Sequence, residues 1–165
     1  MTTPGPQPPT RNDTQPRYWL LKSEPGAFSI DDLKRRRREP WDGVRNYQAR
    51  NFMRDGMRVG DRLFFYHSNC AETGIVGIAE VASAAYPDPT QFDPTNAHFD
   101  PGSSRAQPRW VLVEVKFIRK FSRTIRLDEL KGHPALASMP LLRKGNRLSV
   151  LPVDAAQWNY ILALE

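Results

Sequence analysis

The feature that most constrains the fold is a series of short apolar segments, separated by turn residues, without regular alternation of strands and helices. The segments expected to form strands are 18–21, 62–68, 74–81, 110–118 with 121–125, and 147–153. Their content of Val, Ile, Phe and Tyr is typical of β-structure. Short helices are expected after the capping residues Ser29 and Asp154. The pattern predicts an α+β fold, a small mixed β-barrel flanked by short helices.

Composition sets the domain boundaries and excludes several classes of protein. Residues 1–16 contain no hydrophobic residue beyond the initial Met, so we predict a disordered Pro-rich tail before one domain at 17–165. A single cysteine, Cys70, excludes an internal disulfide and fits a reducing compartment. Widely separated histidines predict no metal site, and the longest apolar runs are too short for a membrane span. We expect a monomer without a cofactor, cytoplasmic, or nuclear if the source is a eukaryote.

The charge balance favours a polyanionic partner. The chain carries 24 Lys and Arg against 18 Asp and Glu, a net charge of +6, and its pI is ≈ 9.8. Such an excess is typical of proteins that bind nucleic acid. The basic run 34–38 includes Arg35 and Arg36, which either contact phosphates or form the solvated end of a helix. Both interpretations remain open at this point.

A loop followed by a helix, at 41–56, carries the most informative group of side chains. Asn46 is a good N-cap residue, and Gly56 is expected to end the helix in a left-handed conformation. Aromatic rings, amides and guanidinium groups are concentrated around this cap, in Trp41, Arg45, Asn46, Tyr47 and Arg50. Stacking surfaces beside hydrogen-bonding groups suit a flat polar ligand such as a nucleobase and its phosphates.

Two further segments are expected to border the same pocket, because each lies where the chain leaves a predicted strand. They are 22–25 and 66–69. The predicted nucleobase-binding residues are Lys22, Ser23, Trp41, Asn46, Tyr47, Tyr66, His67, Ser68 and Asn69. The predicted phosphate-binding residues are Arg35, Arg36, Arg45 and Arg50.

Other interpretations of these residues are kept open. Asn46 is expected to cap a helix more than to contact a ligand, and Tyr66 and Trp41 could belong to the core instead. Cys70 with His67, or Glu24 and Asp42 as acid and base, would point to an enzyme. The long irregular segment 86–108, with its Asp-Pro steps, suggests a functional element or a lid.

The three segments, in this order, resemble the EVE domain family. The resemblance rests on YWLLKSEP at 18–25, WDGVRNYQARN at 41–51 and FYHSN at 65–69, and it extends to about residue 164. It implies a PUA-like fold and a non-catalytic module that takes a flipped modified base, chiefly a modified cytosine of DNA, into the pocket. A modified-RNA reader is the first alternative and a nucleotide-processing or base-processing enzyme the second.

Overall fold

The computed structural model describes residues 17–165, so the predicted tail at 1–16 lies outside the described residues. The strands are β1 (Tyr18–Ser23), β2 (Arg38–Pro40), β3 (Arg62–His67), β4 (Gly74–Val81), β5 (Tyr86–Pro87), β6 (Val111–Leu112), β7 (Glu114–Arg126) and β8 (Val150–Val153). The α-helices are α1 (Ile30–Arg36), α2 (Tyr47–Asn51), α3 (Leu127–Lys131) and α4 (Ala155–Leu162). A π-helical turn spans Phe52–Gly56, and 3-10 turns span Pro89–Phe92, Pro134–Leu136 and Pro140–Leu142.

Six strands form one curled sheet, a half-barrel with the order β2-β7-β4-β3-β1-β8. β1 pairs with β3 in parallel, and the other pairs are antiparallel. The sheet is therefore mixed, and short helices flank it, so the predicted α+β class is confirmed. β5 and β6 form a separate two-stranded ribbon.

Both faces of the sheet are covered. Successive side chains of β1 and β3 point to opposite sides and therefore belong to different cores. Trp19 and Phe65 belong to one core, together with α1 and the turn after α2. Leu20 and Phe64 belong to the other, together with α3 and α4. We call these the α1 face and the α4 face. The continuous apolar run of β3 thus forms a strand covered on both sides, as predicted.

The predicted caps at Ser29 and Asp154 are present. Ser29 accepts a hydrogen bond from the amide of Asp32 and forms a capping box at the start of α1. Asp154 forms the equivalent box with Gln157 at the start of α4. Within residues 17–165 no helix combines the length and the apolar character that crossing a membrane requires.

The prediction that Gly56 ends a helix in a left-handed conformation is wrong. The chain continues from α2 into the π-helical turn, of which Gly56 is the last residue, and extended Met57 ends it. The amide of Met57 donates to the carbonyl of Phe52. The helix end is thus satisfied by a wider backbone turn, and no left-handed residue is needed.

Two predicted strands have different bounds. The strand expected at 147–153 begins only at Val150, because Asn146 holds the preceding residues in a turn. Its side chain donates to the carbonyl of Pro140 and accepts from the amide of Leu148. The strand expected at 110–118 is divided at Val113, where the chain passes from the β5–β6 ribbon to the main sheet.

Candidate nucleic-acid interface

A cavity of ≈ 630 Å³ lies over the α1 face, between the end of β1 and the loop that follows β2. Ser23 lines it from the end of β1 and Glu24 from the turn after β1, while Trp41 and Asp42 line it from the loop. The exposed residue His98, from the long segment 86–108, also lines it. The volume is within the range of sites that hold a small molecule or a single base.

Trp41 is held by two edge-to-face aromatic contacts. Its ring centroid lies 6.0 Å from that of Phe28 and 5.6 Å from that of Phe65. The backbone amide of Trp41 donates to the carbonyl of Val113 at 2.8 Å. Trp41 is only partly buried, so the contacts fix the ring while part of it stays accessible in the cavity.

The loop after Trp41 is anchored to the segment 86–108 through Gly43. The amide of Gly43 donates to Oδ2 of Asp88 at 2.8 Å. Gly43 has a φ of +81°, and a Cβ atom on it would lie 2.7 Å from Nε2 of His98. Only glycine meets both requirements without strain. Segment 86–108 is therefore a wall of the cavity that sets the shape of the Trp41 loop.

Arg45 completes this anchor and uses all five of its N–H donors. Nε and Nη2 donate to the carbonyl of His98, and Nη2 also donates to Oγ1 of Thr90. Nη1 donates to Oδ2 of Asp88 at 3.0 Å and to the carbonyl of Val44. This conformation leaves no donor for a phosphate, so Arg45 positions the loop.

Three carboxylates line the cavity: Glu24, Glu39 and Asp42. Glu24 accepts from Asn69, and Glu39 pairs with Arg36 at 3.0 Å. Desolvation raises the pKa of Asp42, and the nearby charge of Asp88 raises it further. The cavity is therefore rich in hydrogen-bond acceptors.

Five of the predicted site residues line the cavity: Lys22, Ser23, Arg36, Trp41 and Arg45. Desolvation lowers the pKa of Lys22, whose ammonium lies 5.9 Å from the centroid of the Tyr66 ring. Ser23 donates its hydroxyl to the carbonyl of Phe28. The binding role of each residue stays a prediction.

Tyr66 and Tyr47 lie elsewhere. Tyr66 is buried in the core of the α4 face, because it follows Phe65 in β3 and points to the opposite side of the sheet. Burial raises its pKa to about 12. Tyr47 is 52% exposed and stacks on Trp110 with a centroid distance of 4.8 Å. Neither ring lines the cavity beside Trp41.

The remaining predicted residues support neighbouring structure. Asn46 caps α2 by accepting from the amide of Ala49. His67 accepts at Nε2 from the amide of Ile30, and desolvation lowers its pKa. The amide of Ser68 donates to the carbonyl of Ser23. Asn69, with a φ of +51°, donates to Glu24.

Arg35 and Arg50 also have protein partners. Arg35 pairs with Asp32 on the exposed surface of α1. Arg50 donates to Oδ1 of Asn51 and to the carbonyl of Arg109.

The sequence analysis missed Glu39, His98 and Phe28 of the cavity and the anchoring residue Asp88. Asp88 binds Gly43 across 45 positions, and the ion pair of Glu39 is exposed and has no distinctive sequence pattern. The Asp-Pro steps of segment 86–108 were the available signal. In the part of the chain from 17 onward, no group of three or more His, Cys, Asp and Glu could hold a metal ion.

The chain resembles known proteins over nearly its whole length. The family model described as "EVE domain" matches residues 17–164. Mouse thymocyte nuclear protein 1 is 47% identical over 90% of this chain and 73% of its own length. A crystal structure of a Pseudomonas syringae protein is 50% identical, with a TM-score of 0.87, and the match covers 89% of this chain and 98% of that one.

A further solved structure contains nucleic acid. The crystal structure of human THYN1 protein in complex with DNA containing 5-methylcytosine is 44% identical, with a TM-score of 0.82. The match covers 90% of this chain and 96% of that one. With the family model, these matches confirm the resemblance on which the sequence analysis relied, and the chain belongs to the EVE domain family.

Proposed function

We propose that this protein binds DNA containing a modified cytosine, and that the modified base enters the cavity beside Trp41 without being chemically changed. The human relative whose structure contains 5-methylcytosine DNA supports the class of ligand. The observation that carries the proposal for this chain is the cavity itself. The aromatic rings of Trp41 and Phe28 and the carboxylates of Glu24 and Asp42 line the same ≈ 630 Å³.

The lining matches the chemistry of a cytosine that has left the duplex. A flipped base is held by stacking on an aromatic face and by hydrogen bonds to its Watson–Crick edge. The exocyclic amine of cytosine is a donor, and carboxylates are its usual protein acceptors. Asp42 and Glu24 supply such acceptors, while Phe28 offers apolar surface for a methyl group. A methyl group in such a pocket is worth about 1–3 kcal/mol.

Binding without turnover accounts better for the polar groups than catalysis does. His67, the obvious general base, already accepts the amide of Ile30 at Nε2, 3.1 Å away. Its use as a base at that atom would break the contact at the start of α1. Glu24 and Asp42 line the cavity, but His67 and Cys70 do not. The enzyme alternative therefore keeps two carboxylates at the cavity but has neither the histidine nor the cysteine beside them.

The proposal is tested by titrating labelled duplexes with cytosine, 5-methylcytosine or 5-hydroxymethylcytosine at one position, followed by fluorescence anisotropy. Wild-type protein should bind at least one modified duplex more tightly than the unmodified one. Trp41→Ala should remove this preference and weaken binding by roughly tenfold to a hundredfold, because stacking on an aromatic ring contributes about 1–3 kcal/mol per base. Trp41→Phe should retain part of it.

Tyr47→Ala is the matched aromatic control, because Tyr47 lies outside the cavity. It should leave the preference for the modified base unchanged. Equal binding of all three duplexes by the wild-type protein would refute the proposal for DNA. Matched RNA competitors in the same titration would then test the alternative, and base analysis of recovered DNA would detect turnover.

Asp42→Asn should lower the affinity for the modified duplex by about tenfold at neutral pH, since a hydrogen bond to a charged acceptor contributes about 1.5–3 kcal/mol. The wild-type affinity should also fall as acid protonates Asp42, and the fall should begin above the ordinary pKa of an aspartate. Desolvation raises the pKa of Asp42, and the charges of Asp88 and Glu39 raise it further, against the opposing effect of His98 and Arg45. The affinity of the variant should be less dependent on pH.

Stability should change in the opposite direction. A pKa raised by folding means that ionised Asp42 disfavours the folded state above its unfolded pKa. The variant should therefore have an unchanged or higher melting temperature at neutral pH. Loss of binding that is accompanied by a lower melting temperature would indicate a structural role for Asp42 instead.

A further inference from the structure

The basic residues around the cavity are largely neutralised by carboxylates. Arg36 pairs with Glu39, Arg35 with Asp32, and Arg38 with Glu114 at 2.8 Å. Exposed pairs of this kind contribute little to stability. Each nevertheless cancels a positive charge where a phosphate would need one. Cations without an acidic partner must therefore be sought elsewhere on the surface.

The loop 143–148 carries such a concentration. Arg143, Lys144 and Arg147 are exposed, and among the residues that the structure describes none of their side chains has a hydrogen-bond or ion-pair partner. No Asp or Glu occurs in the sequence between Glu129 and Asp154. Three positive charges thus lie within five residues, without an acidic residue close by in the chain.

The loop has a defined shape. The amide of Asn146 donates to the carbonyl of Arg143, and Gly145 takes a φ of +79° within this turn. The side chain of Asn146 fixes the turn to Pro140 at 2.7 Å. The three cations are therefore presented from an ordered turn, which lowers the entropic cost of using them in binding.

This loop forms one wall of a cleft that adjoins the cavity. The cleft, of ≈ 430 Å³, is lined by Arg143, Lys144 and Arg147 and, on the other side, by Asn46 and Gln48. On both sides, consecutive residues of the chain line first the cavity and then the cleft. Arg45 and Ser149 line the cavity, and their chain neighbours Asn46 and Leu148 line the cleft.

We propose that this cleft holds phosphates of the DNA strand whose modified base enters the cavity, an inference that rests on the proposed function. A strand that inserts one base must continue past the rim of the cavity, and the cleft begins at that rim. Lys and Arg supply the charge that phosphates require, and the side-chain amides of Asn46 and Gln48 supply additional hydrogen-bond donors. These contacts position the strand and carry no information about the modification.

The test is the salt dependence of affinity for the triple variant Arg143→Gln, Lys144→Gln, Arg147→Gln. Each phosphate contact contributes about 0.9 to the slope of log K against log salt for duplex DNA. The triple variant should therefore have a slope reduced by roughly 2 to 3. Its affinity should fall for modified and unmodified duplexes alike, and the ratio between them should stay the same.

Two control proteins isolate the effect of charge. Lys131→Gln removes an exposed cation from α3, which packs on the α4 face, away from the cavity. It should leave the slope unchanged. Arg143→Lys with Arg147→Lys retains the charges and should keep the wild-type slope. Equal melting temperatures would show that the variants fold alike.

The outcomes separate the two proposals. An unchanged slope in the triple variant overturns the phosphate cleft, and a preserved preference for the modified duplex then leaves the proposed function standing. A reduced slope in a protein whose wild type shows no such preference supports the cleft and refutes the cavity as the site of the modified base. A changed ratio in the triple variant would contradict the division of roles.

Discussion

Replacing Asp88 by Ala is expected to lower the free energy of unfolding by about 3–5 kcal/mol and to abolish binding of the modified duplex. Asp88 is fully buried and accepts from Gly43, Arg45 and both donors of Thr90. Its removal leaves the guanidinium of Arg45, only 21% exposed, without its carboxylate. Because Gly43 loses its anchor as well, the Trp41 loop should lose its shape.

Asp93→Ala is a matched control, since the chain repeats the local motif. Asp93 also precedes a proline and accepts from the amide and the hydroxyl of Thr95, but it is exposed and makes no contact with the Trp41 loop in the described interactions. It should cost only about 1 kcal/mol, the value of a local hydrogen-bonded turn. Chemical denaturation measures both variants. Equal losses would mean that the long-range anchor contributes nothing.

The stability provided by Asp88 should also depend on pH. Burial alone would raise its pKa, but hydrogen bonds from Thr90, Gly43 and Arg45 outweigh burial and lower it. A depressed folded pKa contributes stability that is present above the unfolded value, 3.8, and is lost as the pH falls through the folded pKa. Below about pH 4 the difference in the free energy of unfolding between the wild type and Asp88→Asn should become smaller.

The parts of the fold that were predicted from the sequence depend on local patterns. The capping boxes at Ser29 and Asp154 involve residues three apart, and their geometry is visible in the sequence. The hairpin of β3 and β4 follows from two apolar runs around a polar turn. Gly56 was misinterpreted because a π-helical turn and a left-handed cap both tolerate glycine there, and sequence does not distinguish them.

The candidate site was predicted in part for the same reason. Ser23 ends β1 and Trp41 lies in a loop, and both were placed near strand ends from the sequence. The face of Tyr66 could not be read from the sequence, because the whole run 63–66 is apolar and buried. Alternation assigns Tyr66 to the opposite face only once Phe65 is known to contact Trp41. The anchor between Gly43 and Asp88 could not be predicted either, since a contact across 45 residues depends on how the whole chain folds.

Gly43→Ala is expected to weaken DNA binding by roughly tenfold or more, because binding geometries tolerate displacements of only about 0.5 Å. The new Cβ would lie 2.7 Å from the ring of His98, at a φ of +81°. The backbone of His98 cannot retreat freely, since its carbonyl accepts two hydrogen bonds from Arg45. The ring or the Trp41 loop must therefore shift. Stability should fall by about 1–2 kcal/mol from the left-handed strain, with only a small addition from the steric conflict, because the exposed ring of His98 can move aside.

Gly60→Ala separates the strain from the steric conflict. Gly60 has a φ of +96°, but a Cβ there would meet nothing within 4 Å. It should therefore cost only the left-handed strain, about 1–2 kcal/mol, and leave DNA binding intact. The difference between the two variants measures the conflict with His98.

A double-mutant cycle with His98→Ala identifies what moves. If the ring of His98 pushes the Trp41 loop away, Gly43→Ala should bind DNA better in the His98→Ala background than its single-variant losses predict, with a coupling of about 0.5–3 kcal/mol. If the losses in binding free energy of the two single variants simply add, the weaker binding of Gly43→Ala comes from the backbone of Gly43 and its hydrogen bond to Asp88. Either result ties the position of Trp41 to segment 86–108, whereas wild-type affinity in Gly43→Ala would refute that dependence.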